Sequence, residues 1–283
     1  MKSFLLFFAV GFTALAYAQQ PKVITNATIT TITTVIAPED EDISQVGQGQ
    51  GGRMNFMAMM DGETKTTTWV KNDLVKTSIK SEIIKATIYR NNTTKVTNSV
   101  MNRMGNTTGT VSTDADLETM KKKMDSAMAE RAKADTNMKR RTRNVDFTAI
   151  VAYTEESKKI GGYNCKKAYV ITDKILSKDS MMVWYCPEFK INNVISTGGF
   201  SNIPMAARFM GGNGKDNFEL VNGFVMMYER KLPGGRSMEV KVSKIDFTSE
   251  ISNKEFELPK DVEFKPMSEF GRGGGGNVNI IQR

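Results

Sequence analysis

The chain has 283 residues, a formal charge of +8 and 40% hydrophobic residues, enough for one sizeable β-rich or mixed domain. It contains no histidine, which excludes Ser-His-Asp triads, histidine general bases and H-E-x-x-H zinc sites. The basic excess is spread along the chain apart from a run at 139–143, and no aromatic-interleaved platform accompanies it, so nucleic acid is not an expected partner.

The N-terminus reads as a cleavable export signal over residues 1–18. Lys2 supplies the positive charge, and residues 4–16 form an apolar stretch shorter than the roughly 20 residues that span a bilayer. Ala16-Tyr17-Ala18 offers small residues at the two positions a signal peptidase reads, with Gln19 as the new N-terminus. No cysteine follows for lipid attachment, and no later apolar stretch is long enough to cross a membrane. The expected location is the periplasm or the outside of the cell, where anionic headgroups suit the basic charge.

Residues 23–37 are rich in threonine, isoleucine and valine, stiff side chains at home on a pleated surface, and read as the first strand. An acidic stretch at 38–42 ends it, and the glycine-rich 47–52 reads as a loop. Short β-branched or apolar runs follow at 55–60, 64–70, 74–79, 83–89 and 93–100. They are separated by turn residues at Asp61-Gly62, Asn72 and Asn91-Asn92. Spacing this tight implies an antiparallel meander, because parallel neighbours need long crossovers.

The period then changes. Leu117, Met120, Met124 and Met128 recur at three- and four-residue intervals and predict a helix from Asp114 to about Met138, with Thr113 and Asp116 as its capping box. The narrow apolar stripe places that helix, within a segment bounded by 113–143, across a sheet or groove rather than inside a core. Strands resume at 147–154, 163–171, 181–185, 218–230, 238–247 and 262–264, with a hairpin turn at 233–235. Residues 267–283, which carry a glycine-rich run at 271–276, read as a disordered tail after one domain spanning 19–266. The fold class is mainly β with one long helix.

The two cysteines, Cys165 and Cys186, lie on strands flanking the polar loop 172–180. A hairpin about that loop that opposes Met181 to Val170 and Met182 to Tyr169 also opposes the cysteines, close enough for a disulfide in an exported protein. There is no C-x-x-C and no further ligand to suggest redox or metal chemistry, and no metal or cofactor is expected. The 19 methionines cluster at 54–60, on the helix stripe, and at 181–182 and 226–227. They serve as core filler, as a deformable wall around an apolar ligand, or, at Met57, Met59, Met60 and the Met120/Met124 pair, as thioether ligands for Cu(I). Carboxylate pairs such as Glu155-Glu156 read as surface charge, and no enzyme signature is present.

The segment Ile160-Gly161-Gly162-Tyr163-Asn164-Cys165-Lys166-Lys167-Ala168 resembles the I-x-G-Y-x-C-K-K-A signature of exported envelope proteins common in Bacteroidetes, the GLPGLI family and a neighbouring family of unknown function. Val183-Trp184-Tyr185, the run 223–229 and Phe256-Glu257-Leu258-Pro259 follow in the expected order. The tract that names GLPGLI proteins is absent, so the neighbouring family is the closer fit. The resemblance implies a LolA-like fold, a curved antiparallel sheet forming an open half-barrel with a helix over its concave face. It also implies a ligand, a lipid or an acylated partner, held between sheet and helix. On that reading Leu117, Met120, Met124 and Met128 form the lid, and Trp184, Met226 and Tyr228 the wall. The alternative is a structural module that binds other envelope proteins and holds no ligand.

Overall fold

The protein is described by a computed structural model covering residues 20–38, 61–82, 84–103, 105–134, 148–174, 177–194, 217–232 and 235–270. The expected signal peptide, the 47–52 loop, the 55–60 strand with Met57, Met59 and Met60, the 139–143 basic run and the tail beyond 270 lie outside these residues.

The expected meander is present. Strands β2 (Asn26–Ile36), β3 (Gly62–Lys71), β4 (Leu74–Lys80), β5 (Ile84–Asn91), β6 (Val96–Arg103) and β7 (Asn106–Thr113) pair with their neighbours, all antiparallel. Asn72 turns the β3–β4 hairpin in the left-handed region at φ 53°, which asparagine tolerates because its short polar side chain bonds locally. β7 was not expected: its Asn-Thr-Thr-Gly-Thr-Val-Ser-Thr has weak apolar alternation, and pairing with β6 rather than burial makes it a strand.

Helix α1 (Asp114–Ala134) starts where the capping box predicts. The Thr113 hydroxyl accepts from the Asp116 amide at 3.1 Å, and the Asp116 carboxylate accepts from the Thr113 amide at 2.8 Å. The box thereby satisfies two backbone donors at the helix start.

The second half contains β8 (Thr148–Ile160), β9 (Tyr163–Lys174), β10 (Ser177–Cys186), β12 (Phe224–Lys231) and β13 (Ser237–Asp246). Here the structure differs from local expectation. The run 218–230 is broken: Phe218–Leu220 is a 3-10 turn, and Gly223 separates it from β12. A Cβ at Gly223 would collide with the Cys186 carbonyl oxygen and lie 2.7 Å from the Tyr185 ring, so the chain passes there only as glycine. β8 runs six residues further than expected because a bulge between Tyr153 and Ser157 lets a charged, exposed segment stay paired with β9.

The twelve-stranded sheet has the order β14-β7-β6-β5-β4-β3-β2-β13-β12-β10-β9-β8, with β14 (Phe264–Pro266) parallel to β7 and every other pair antiparallel. β13, which follows β12 in the second half, docks on β2 and joins the two halves. The order is open, with β14 and β8 as its ends. A separate parallel pair, β1 (Lys22–Ile24) with β11 (Phe189–Ile191), packs beside β12. A one-turn helix, α2 (Met267–Phe270), occupies the start of the segment expected to be tail and contacts α1 and β7.

Candidate functional site

Directly opposed residues on neighbouring strands point to the same side of a sheet, so one face can be followed across all the pairs. Call the inner face the one that carries Tyr228. From Tyr228 it runs through Val183, Ala168 and Tyr153 in one direction, and through Val240, Thr33 and Thr64 in the other.

The β8–β13 half of this face is a filled core. Val170, Ala168, Val183, Tyr185, Val225, Tyr228, Met238 and Val240 are all buried, and the 3-10 turn lays Phe218 against the Tyr228 ring at 4.9 Å between centroids. Tyr153 stacks edge-on to Tyr185 at 5.5 Å, and its hydroxyl accepts from the Asn222 amide at 2.9 Å, tying the 3-10 segment down.

The β2–β6 half of the same face is lined by threonine. Thr31, Thr33, Thr64, Thr66, Thr68 and Thr77 are all buried, interleaved with Ile29, Ile79, Ala86 and Ile88. The Thr68 and Thr77 hydroxyls lie 3.4 Å apart. Those of Thr33 and Thr66 are fully buried and have no hydrogen-bond partner among the described residues. Threonine alternating with small aliphatics suits a strand, but a hydroxyl buried without a partner costs about 1–3 kcal/mol. A permanent core would use valine at such positions. A cleft of about 240 Å³ opens at one end of this face, floored by Val75, Ile88 and Thr68 and rimmed by Arg90, Asn92, Thr97 and Asn193.

Arg90 at that rim is committed. Its Nη1 and Nη2 donate to the two Asp114 oxygens at 2.6 and 2.8 Å, Nη1 also reaches Thr97 Oγ1 at 3.0 Å, and Nε donates to Asn92 Oδ1 at 3.1 Å. It is a clamp between β5, β6 and the start of α1 rather than a free anion site. Its hydrogen bond holds the Asp114 carboxyl below the usual carboxylate range.

The residues expected to form the lid and the wall are not brought together. α1 packs on β7 and α2, at the β14 end of the sheet. Leu117 is half-buried there, Met120 is exposed, and Met124 and Met128 follow on the same helix. Met226 and Tyr228 lie in β12, with β6, β5, β4, β3, β2 and β13 between that strand and β7, and both are buried, Tyr228 in the filled core and Met226 in a separate cluster with Trp184, Phe189 and Phe224. Trp184 pairs with Met227, so it faces away from Tyr228. Its ring is covered by the Lys158 ammonium, 4.2 Å from the centroid, and Lys167 is held nearby by Glu156 at 2.9 Å. The threonine face, absent from the sequence reading, could have been found from the six threonines at alternating positions of 31–33, 64–68 and 77, since alternation sets the face.

The two cysteines are both buried and are free thiols in this structure, not a disulfide. The ladder does have the expected register, with Met181 opposite Val170, Met182 opposite Tyr169 and Tyr185 opposite Lys166. A second cleft, about 350 Å³, lies on the other side of the sheet beside Trp69, where Thr28, Thr30, Lys244, Ser249 and Glu255 line it. Among the described residues no group of three or more acidic or cysteine side chains is placed to hold a metal, and no helix is long and apolar enough to cross a membrane.

Fold and site together define a class: a large, open, mainly antiparallel β-sheet protein with one long helix near its edge and an inner face that is aromatic and aliphatic in one half and threonine-lined in the other. No protein-family model matches the chain, and neither does any curated protein. Among solved structures, two crystal forms of PNGF-II match at 12% identity over 87% of this chain, with a TM-score of 0.36. The match takes in 33% of that protein in one form and 32% in the other, so this chain spans about a third of its length. A likeness at that level carries no statement about what this chain does.

Proposed function

We propose that this is an exported cell-envelope protein that binds an apolar ligand, a lipid or an acylated partner, along the threonine-lined inner face of β2–β6. The LolA-like half-barrel is the finer fold reading that goes with this proposal. The observation that carries it is the contrast along one face: aromatic and large aliphatic side chains fill the β8–β13 half, whereas threonine and small aliphatics line the other. Methyl groups and isoleucines accept an acyl chain, and the unpartnered Thr33 and Thr66 hydroxyls are donors for an ester or amide carbonyl at its polar end. The cleft over Ile88 is the entry, and α1 stands at the same half of the sheet, next to β7.

The test is native mass spectrometry and lipid extraction on the full chain, expressed with its own signal in a Gram-negative host. Retained lipid-sized mass is expected, and Ile88→Trp, which fills the cleft floor, should release it while leaving the circular dichroism unchanged. A bare chain mass with no extractable lipid sinks the proposal. The competing reading, an envelope interaction module with no ligand, draws on the terminal strand β8, where Ile150 is 58% and Tyr153 49% exposed. Stable co-purifying proteins without lipid would favour it.

A further inference from the structure

We propose that Cys165 and Cys186 are joined during export and that the closed fold then locks the pair in whichever redox state it had on folding. The locking is independent of the ligand reading, and only the oxidised state rests on export.

The register carries the geometry. The β9–β10 ladder runs without a bulge from Ser177 opposite Lys174 to Tyr185 opposite Lys166, and the same register carried one residue past its end would oppose Cys186 and Cys165. Directly opposed residues of antiparallel neighbours have Cα atoms about 4.5 or 5.5 Å apart, and both values fall within the window for a disulfide. The bond would close a loop of about 20 residues at the open end of this hairpin.

The surroundings carry the lock. Both thiols are fully buried in the cluster that contains Trp184, Phe189, Phe224 and Met226. Phe189 from β11 stacks on Tyr163 at 5.2 Å and on Phe224 at 5.6 Å, and Gly223 passes against the Cys186 carbonyl, so no space is left for a reagent. Lys158 from β8 and Glu188 after β10 are the charged groups that act on Cys165. Burial, reinforced by Cys186 and Glu188, outweighs the Ile160 backbone hydrogen bond and Lys158 and pushes that thiol up to about 12, and burial raises Cys186 as well. Thiol–disulfide exchange proceeds through the thiolate, so the folded pair neither attacks nor is attacked at neutral pH.

The bond therefore has to form while β9 and β10 are still open. One cysteine thiolate attacks a disulfide of the exporting compartment, carried by a protein or a small-molecule oxidant, and displaces one of its sulfurs. The second thiolate then attacks the resulting mixed disulfide and releases the other. Two protons leave the cysteines, and the oxidant is reduced to a dithiol.

The full chain is made both ways, exported with its signal and retained in the reducing cytosol without it, and each is alkylated under denaturing conditions. The exported protein should take up no label and weigh about 2 Da less than the dithiol form. The cytosolic protein should carry two labels. Held folded with oxidised glutathione at pH 8, it should stay a dithiol, and should oxidise at least about a hundredfold faster in urea. If the cytosolic chain fails to fold, the same lock is read on the exported one: dithiothreitol should cleave its disulfide in urea and not in native buffer. Two free thiols in the exported protein overturn the disulfide. Native exchange at the unfolded rate overturns the lock.

Discussion

One face of one sheet behaves in two ways. From β13 to β8 it carries tyrosine, methionine and valine packed under Phe218, and from β2 to β6 it carries threonine, isoleucine and alanine with two buried hydroxyls lacking described partners. Both halves are paired strand to strand along their length, the β2–β6 half without a bulge and the β8–β13 half with register shifts between Tyr153 and Ser157 and between Trp184 and Tyr185. Those bulges do not break the pairing, so backbone hydrogen bonding is not what distinguishes the two faces. Side-chain volume is: the first half needs no occupant, and the second is cheap to separate from whatever covers it.

The largest test of that contrast is a truncation on each side. Tyr228→Ala in the filled half should cost about 4 kcal/mol, read as a lower urea midpoint, because it leaves a cavity beneath Phe218. Thr66→Val in the other half should be neutral or stabilise by about 1 kcal/mol, because it removes a buried hydroxyl at nearly constant volume. A clear loss of stability at Thr66→Val would mean that its hydroxyl has a structural partner, and the contrast would fail.

Next is the seam between the halves. Arg236, beside the start of β13, is buried and donates to both Asp61 oxygens at 2.9 and 3.1 Å, where β3 begins. Asp61→Ala leaves that guanidinium without its carboxylate and should cost about 3 kcal/mol. If the halves unfold as one unit, the loss appears as a single shifted transition. Two transitions would show that the seam alone couples them.

The smallest effects concern α1. Thr113→Ala removes the cap and should cost about 1 kcal/mol. Asp114 and Asp116 both have depressed folded pKa values, Asp114 through the Arg90 hydrogen bond and Asp116 through Thr113. A depressed carboxylate contributes stability above its unfolded pKa, near 3.9, which is lost as pH falls through the folded value. Helicity should hold down to about pH 4 and fall below it. Arg90→Met should lower stability at neutral pH and shrink the acid-dependent loss, because Asp114 then titrates closer to its unfolded value.

Much was legible in the chain. The turns at Asn72 and Asn91-Asn92, the meander, the capping box at Thr113 and Asp116 and the β9–β10 register all follow from short-range rules of alternation, helical period and left-handed tolerance. β7 and the break at Gly223 were not. The first is a strand because β6 offers it partners, and the second is glycine because Cys186 and Tyr185 approach from another strand.

The candidate site divides the same way. Sequence by itself determined which residues share a face within each hairpin, since side chains alternate along any paired strand, and it determined where α1 begins. Only the tertiary structure decided that β13 inserts beside β2, that α1 rests on β7 at the sheet's end, and that Tyr228 and Trp184 point to opposite sides. Those outcomes depend on pairings between strands far apart in the chain, β13 with β2 and β12 with β10, whose register no local pattern encodes. The threonine-lined face lies between the two kinds of information: its residues can be read from alternation, but only the filled half beside it shows that it is different.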